Sequence, residues 1–486
     1  MQGERKRWNM RPALAGSVFL LCAALTLGGV ATGCGDEEEE AANDDSNGND
    51  GPPPSRPEPA GDDWDIETLP LESDVGFQLQ MARSDNGTLG FAFFDMQPQT
   101  GEPCDELGID NPPNKSEWTL HFAERSSDGS WHNEVIHAMP FVSAPPGLDL
   151  GYDDDGRAVV ATMSGDPISA LNEYCGANDL GILWREGDDD WRHETAVSTS
   201  GEAEAGHEAS DAGYVVGYWP GLAFDSAGEP AVAYRDVHFG GMQADDFRRA
   251  DLEFVHRDGG NWRAEPVHWA EGAGQYNQLL FDSEDQPIIA YYTPTESHVE
   301  ARLGYWVTWR NGEEWERVQL FNQGNTEAPA LLLDEEDDRL HLLFYDSEFG
   351  TPRMATLEAW DEFESASAWE FTDSTEIGDP TYDEGYSPSL AQSPEGTLAT
   401  AYFRCTRASD GLGDCAASES AVVFSYLDGD EWTQEVIDSG DSLATCGNRP
   451  TLVFDDDEPV VAYRCEVAED DMVSTEIRLA RRPSID

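Results

Sequence analysis

Seven tryptophans recur along this chain at near-regular intervals: Trp64, Trp131, Trp191, Trp262, Trp315, Trp369 and Trp432. A self-similar unit of this size constrains the fold more than any local propensity, because each copy must bury its apolar faces against its neighbours. Five of the tryptophans carry a glutamate three residues on, at Glu67, Glu134, Glu194, Glu265 and Glu435. Most follow a tight polar turn, such as Ser127-Asp128-Gly129-Ser130 or Asp258-Gly259-Gly260-Asn261. Glycine takes positive φ there without a Cβ penalty, which suits a hairpin. A short alternating run, such as Leu252 to His256, precedes the turn. The reading is strand, turn, Trp-led strand.

A second pattern lies upstream in each unit. Pro220-Gly221-Leu222-Ala223-Phe224-Asp225 leads through an acidic turn to Ala231-Val232-Ala233-Tyr234-Arg235-Asp236. Pro450 to Asp455 leads in the same way to Val460 to Cys465. The shape recurs from Pro329, Pro388, Pro146, Gln278 and, more loosely, Phe77. Its nearly continuous apolar runs suit strands covered on both faces. Two hairpins per unit make a four-stranded antiparallel sheet, and seven such sheets predict an all-β, seven-bladed β-propeller over residues 63–486. The last unit lacks a Trp strand, while Trp64 to Leu69 is a surplus one at the start. That strand is expected to complete the last blade and remove an open seam.

The glycine-turn-tryptophan element resembles the Asp-box of sialidase-like propellers, Ser/Thr-x-Asp-x-Gly-x-x-Trp. The nearest match is Ser126-Ser127-Asp128-Gly129-Ser130-Trp131, one residue short between Asp and Gly and one short before Trp. The two-hairpin unit is also similar to repeats of exported bacterial propeller proteins. These resemblances cover residues 63–486 and imply the fold; no activity comes with them.

Residues 1–33 read as an export signal. Arg5, Lys6, Arg7 and Arg11 form a basic start, and Ala13 to Val30 is predominantly apolar. Ala31-Thr32-Gly33-Cys34 resembles a bacterial lipobox, which implies cleavage before Cys34 and lipidation of its thiol. Residues 34–62 are acidic, then rich in Asn, Ser, Gly and Pro, and read as an extended tether. The expected address is the bacterial cell envelope, anchored by lipid, at the outer membrane on its periplasmic face or at the cell surface.

The six cysteines after Cys34 suit an oxidising compartment. In the strand order above, all six fall at one end of the propeller. That placement favours Cys446–Cys465 within the last blade, Cys405–Cys415 within one loop and Cys104–Cys175 between adjacent blades, with other pairings open. No zinc-type Cys/His spacing occurs, and no metal is expected. Asp153-Asp154-Asp155-Gly156 and Asp455-Asp456-Asp457-Glu458 read as hairpin turns rather than calcium loops.

The formal charge of −70, with lysine only at positions 6 and 115, excludes a nucleic-acid partner and electrostatic attraction to anionic lipid. The lipid is the expected membrane contact. Arg235, Arg404 and Arg464 close the second strand of three units. They are the candidate ligand-binding set, converging at one channel mouth on a carboxylate or sulfate through bidentate pairing. Asp95, Asp236 and Asp346 end the same strand and are expected to bind loop backbone. His207, His238 and His298 lie in long loops and form no ligand set. No P-loop, nucleophile elbow or HExxH is present, so no cofactor and no catalytic residue is expected. The expectation is a monomeric, non-catalytic propeller that binds a glycan or an envelope protein. The alternatives are a glycan-active hydrolase or lyase on the same fold, and a structural envelope scaffold.

Overall fold

The structure is a computed structural model. It describes residues 63–71, 75–96, 116–141, 147–164, 179–198, 215–237, 250–268, 272–293, 303–322, 328–334, 336–358, 366–405, 420–439, 444–469 and 472–485. Strands pair into seven four-stranded antiparallel sheets. In chain order these blades span 75–141, 148–197, 215–268, 275–321, 330–371, 383–439 and 444–481. The innermost strand of each blade touches that of the next in a ring that closes from the seventh back to the first. The predicted propeller is the observed fold.

The seam is closed as the Trp repeat predicts. Asp65–Thr68 pairs antiparallel with the last strand, Met472–Arg481, in the register Asp65↔Arg481 to Thr68↔Arg478. Trp64 then lies edge-on to Phe424 of blade 6, ring centroids 5.3 Å apart, so the first and last strands of the propeller are locked into one joint. Burying an indole of roughly 150–250 Å² there makes closure cooperative with blade packing.

First-hairpin turns are tight and closed by backbone bonds, as in Gly156 N–H to the Asp153 carbonyl at 2.8 Å. The Asp153 carboxylate also accepts from Asp155 N and Arg157 N. Its oxygens are therefore used in making the turn, as the sequence suggests.

Apolar clusters fill each joint between blades. Trp-x-x-Glu acquires its meaning here. The glutamate of one blade accepts from the arginine that sits opposite the tryptophan of the next blade. Glu134 of blade 1 accepts from Arg185 Nε at 2.6 Å, Trp191 Nε1 at 3.0 Å and Asp189 N at 2.6 Å, all of blade 2. Glu194 meets Arg257 (3.5 Å) and Trp262 (3.2 Å), and Glu435 meets Arg482 and Trp64 (3.1 Å). Glu67 and Glu265 meet Arg125 (2.7 Å) and Arg310 (2.6 Å). All five glutamates are matched.

Candidate functional site

Five inner strands begin with the same distortion. Gly76-Phe77-Gln78, Gly217-Tyr218-Trp219, Gly274-Gln275-Tyr276, Gly385-Tyr386-Ser387 and Gly447-Asn448-Arg449 each carry positive φ at the first and third residue. The third residues lie at φ 57°, 45°, 55°, 46° and 50°. In blade 2 Gly147 holds the same place at 129°. The pairing register slips at each of the five. Glycine is required at the first position by crowding as well as by φ: a Cβ on Gly385 would stand 2.5 Å from Pro352 N, and one on Gly447 2.7 Å from Val422 N. A left-handed non-glycine residue costs about 1–2 kcal/mol. The fold holds this strain in a ring around one mouth of the central channel.

Tyr276, Ser387 and Arg449 line a cavity of about 370 Å³ on the axis, together with Gln80, Gln278, Ser389 and Thr451 two residues further along their strands. Two of its lining residues, Tyr276 and Arg449, are each held by another residue of the strained ring that lies outside the lining. On blades 3 and 4, Trp219 and Tyr276 lie with ring centroids 5.2 Å apart. Asn277 Nδ2 donates to the Trp219 carbonyl at 2.8 Å and fixes the left-handed residue. On blades 7 and 1, across the ring, Arg449 Nη1 donates to Gln78 Oε1. All four side chains are half-buried. An aromatic face opposite a guanidinium–amide pair can take a flat, hydroxylated ring between them.

Beside Ser387 stands a carboxylate shared by two tyrosines. Asp383 Oδ1 accepts from Tyr345 Oη at 2.6 Å and Oδ2 from Tyr386 Oη at 2.8 Å. The two rings stack at 4.4 Å. Burial, then the bond to Asp383, pushes the Tyr345 hydroxyl far above the usual tyrosine range. Asp383 and Tyr345 are buried, while Tyr386 is half-buried. A hydroxyl whose proton is already held by a carboxylate is the arrangement that nucleophilic or acid–base chemistry needs.

A further carboxyl, Asp149, lies on the inner strand of blade 2 (Leu148–Tyr152). Its oxygens accept from Leu150 N at 2.9 Å and from Leu222 N of blade 3 at 2.7 Å. Burial outweighs those bonds and raises its pKa to about 7.

The three candidate arginines are buried in the sheets rather than set around the cavity: Arg235 is 0 %, Arg404 3 % and Arg464 8 % exposed. Arg235 and Arg464 pair across to Leu252 and Ile477 and lie over Trp219 (5.3 Å) and Phe77 (4.1 Å). Both thus back the residues of the strained ring. Arg404 is one place further along its strand. It donates to Glu384, its cross-strand partner, and lies 4.2 Å from the Tyr382 ring. That ion pair occupies in blade 6 the place that a disulfide takes in blade 7. Cys446 and Cys465 are bonded there as expected. Cys405 is also disulfide-bonded; Cys415, its expected partner, lies outside the described residues, as do Cys34, Cys104 and Cys175. His207, His238 and His298 lie outside them too. Asp346 accepts from loop Glu348 N (3.0 Å) and from Arg353 (3.1 Å), whereas Asp95 faces His121 at 3.0 Å. The ring residues Gln78, Trp219, Tyr276 and Arg449 escape sequence reasoning. The available signal is the glycine two places before a residue that often precedes proline.

No protein-family model and no curated protein sequence matches this chain. Among solved structures it is similar to a protein of unknown function from Dyadobacter fermentans (11% identity, 87% of this chain and 98% of that one, TM-score 0.43). It is also similar to an α-L-arabinofuranosidase of Fusarium graminearum (14%, 73% and 97%, 0.41) and a Hadza microbial sialidase (13%, 76% and 76%, 0.40). Likeness at these identities concerns the fold. The propellers of stated activity among these are glycoside hydrolases, and the expectation of a non-catalytic binder is not carried forward.

Proposed function

We propose that the propeller is a glycan-active hydrolase whose substrate enters the channel mouth ringed by the left-handed residues. The observation that carries this reading is the Tyr386–Asp383–Tyr345 cluster, whose Tyr386 immediately precedes Ser387 in the lining of the cavity that Tyr276 and Arg449 also face. The aromatic pair stacks against the C–H face of a sugar, and Arg449 with Gln78 binds hydroxyl or carboxylate groups on its far side. The Tyr386 oxygen bonds to the anomeric carbon as its proton passes to Asp383 and the glycosidic bond breaks, its electron pair leaving with the departing sugar's oxygen. Water then displaces Tyr386: its hydroxyl joins the anomeric carbon, its other hydrogen goes in net to the departing sugar's oxygen, and the Asp383 proton returns to the tyrosine oxygen. Strain at the ring residues fits a preorganised site.

We place the enzyme at the bacterial envelope, lipidated at Cys34 and held off the membrane by residues 35–62. The support is the basic, apolar, small-residue-cysteine order at the start of the chain.

The test is a screen of the full-length protein against 4-nitrophenyl furanosides and pyranosides, neutral and acidic. Turnover is expected. Tyr386→Phe should lower kcat by about 10²–10⁴, and Trp219→Ala should mainly raise KM. A folded protein that releases no nitrophenol from any of them ends the hydrolase reading.

A further inference from the structure

The cavity at the strained mouth differs in charge from the rest of the molecule. Aspartate and glutamate fill 98 of the 486 positions, about one in five, and the net charge is −70. Yet none of the described residues lining the cavity is acidic, and the one formal charge among them is that of Arg449. The exclusion reaches into the repeat itself. At equivalent inner-strand positions the lining holds Gln80, Gln278, Ala330, Ser389 and Thr451, all neutral. The acid at that position, Asp149 of blade 2, lies outside the lining.

Arg449 also differs from other half-buried arginines in its partner. Arg185 meets Glu134 at 2.6 Å, Arg353 meets Asp346 at 3.1 Å and Arg478 meets Asp438 at 2.8 Å. Arg449 Nη1 donates instead to the amide oxygen of Gln78, and no carboxylate pairs with it among the described residues. That bond fixes the side chain without neutralising it, and it uses one of the five guanidinium N–H groups. A half-buried guanidinium without a counter-ion costs free energy, which an entering anion offsets.

We infer that the cavity selects a sugar carrying an oxyanion, a carboxylate or a sulfate ester, set against Arg449. The inference names the substrate class of the hydrolase proposed above and rests on that reading. An oxyanion accepts two parallel N–H bonds from the guanidinium fork. Gln80, Gln278, Ser389 and Thr451 offer hydrogen bonds to ring hydroxyls without repelling it. The acidic surface further off does not bar entry, because salt at physiological strength screens its field beyond about 8 Å. A neutral sugar leaves Arg449 unmatched, and a cationic one meets a like charge.

The test is the affinity of the full-length protein, at neutral pH, for 4-nitrophenyl glucuronide and galacturonide, their methyl esters, the parent hexosides and the hexoside 6-sulfates. Nitrophenol release is followed in parallel. The esters keep the shape of the uronides and remove the charge. The uronide or the 6-sulfate should bind about 10–10²-fold tighter than its neutral counterpart, and which of the two does so identifies the oxyanion. Arg449→Gln should erase the preference. Arg449→Lys, which keeps the charge and loses the fork, should retain part of it. Equal affinity for charged and neutral forms overturns the inference, as does a preference that survives in Arg449→Gln; release of nitrophenol from a neutral hexoside then leaves the hydrolase reading standing. A preference that depends on Arg449 but comes without nitrophenol release keeps the anion pocket and ends the hydrolase reading. Should neither variant fold, the ratio of charged to neutral affinities in the wild type decides.

Discussion

Two kinds of joint hold the seven blades, and they follow opposite logic. Between blades 1 and 2, Glu134 accepts from a guanidinium, an indole and a backbone amide at once, with its own side chain fully buried. Between blades 4 and 5 the glutamate's place is taken by Val318 and the arginine's by Leu357, which pack with Trp369 into one apolar cluster. Between blades 5 and 6 the same places hold Thr372 and Leu427, the latter packed with Trp432. Five joints have both charges and two have neither. At the Glu134 joint a glutamate without its arginine would be a buried charge short of its partner, which ties the two residues together across the joint though they lie far apart in the chain. In the other two joints apolar packing takes the place of the ion pair, and blades 5 and 6 are joined elsewhere by Tyr345 to Asp383 and Gln392 to Asp334.

Mixing the two kinds should do the most damage. Leu357→Arg sets an unmatched guanidinium into the apolar joint and should cost about 4 kcal/mol or more. Adding Val318→Glu should restore about 1–3 kcal/mol, read by denaturant titration as a double-mutant cycle. If the pair recovers nothing, the joints are not interchangeable modules. Next comes Glu134→Ala, expected to cost about 1–3 kcal/mol because it removes the acceptor of the Trp191 and Asp189 N–H groups, while Arg185 keeps Glu124 and Asp188.

The joint between blades 2 and 3 adds a pH dependence. Asp149 has its pKa raised to about 7 by burial. Its contribution is therefore fully present below its unfolded pKa near 4 and is lost as pH rises through about 7. Wild-type thermal stability should fall over that window relative to Asp149→Ser, by an amount on the order of 1–3 kcal/mol at pH 8; parallel curves would mean that the carboxyl is not desolvated. The smallest effect belongs to Glu67→Ala. Its side chain is 40 % exposed, so solvent screens the bond to Arg125, and a loss of under about 1 kcal/mol is expected.

The anion site drawn from Arg235, Arg404 and Arg464 shows where reading by sequence position fails. The three look equivalent because each follows an aromatic near a strand end. Register puts Arg404 one residue out of step with the other two, and strand residues one apart face opposite ways. Arg449, by contrast, reaches the channel because a left-handed backbone turns it out of its sheet.

The sequence by itself determined the blade count, the seam closed by Trp64 to Leu69, the first-hairpin turns and the Cys446–Cys465 pair. All of these rest on periodicity or on contacts within one repeat, which leave their mark in each copy. Tertiary structure alone decided that each Trp-x-x-Glu glutamate serves the next blade. It also decided that Trp219 meets Tyr276 and Gln78 meets Arg449, that Tyr276 and Arg449 face one cavity, and that Asp383 lies between Tyr345 and Tyr386. Those groups come from different blades, and only ring closure brings them within reach of one another.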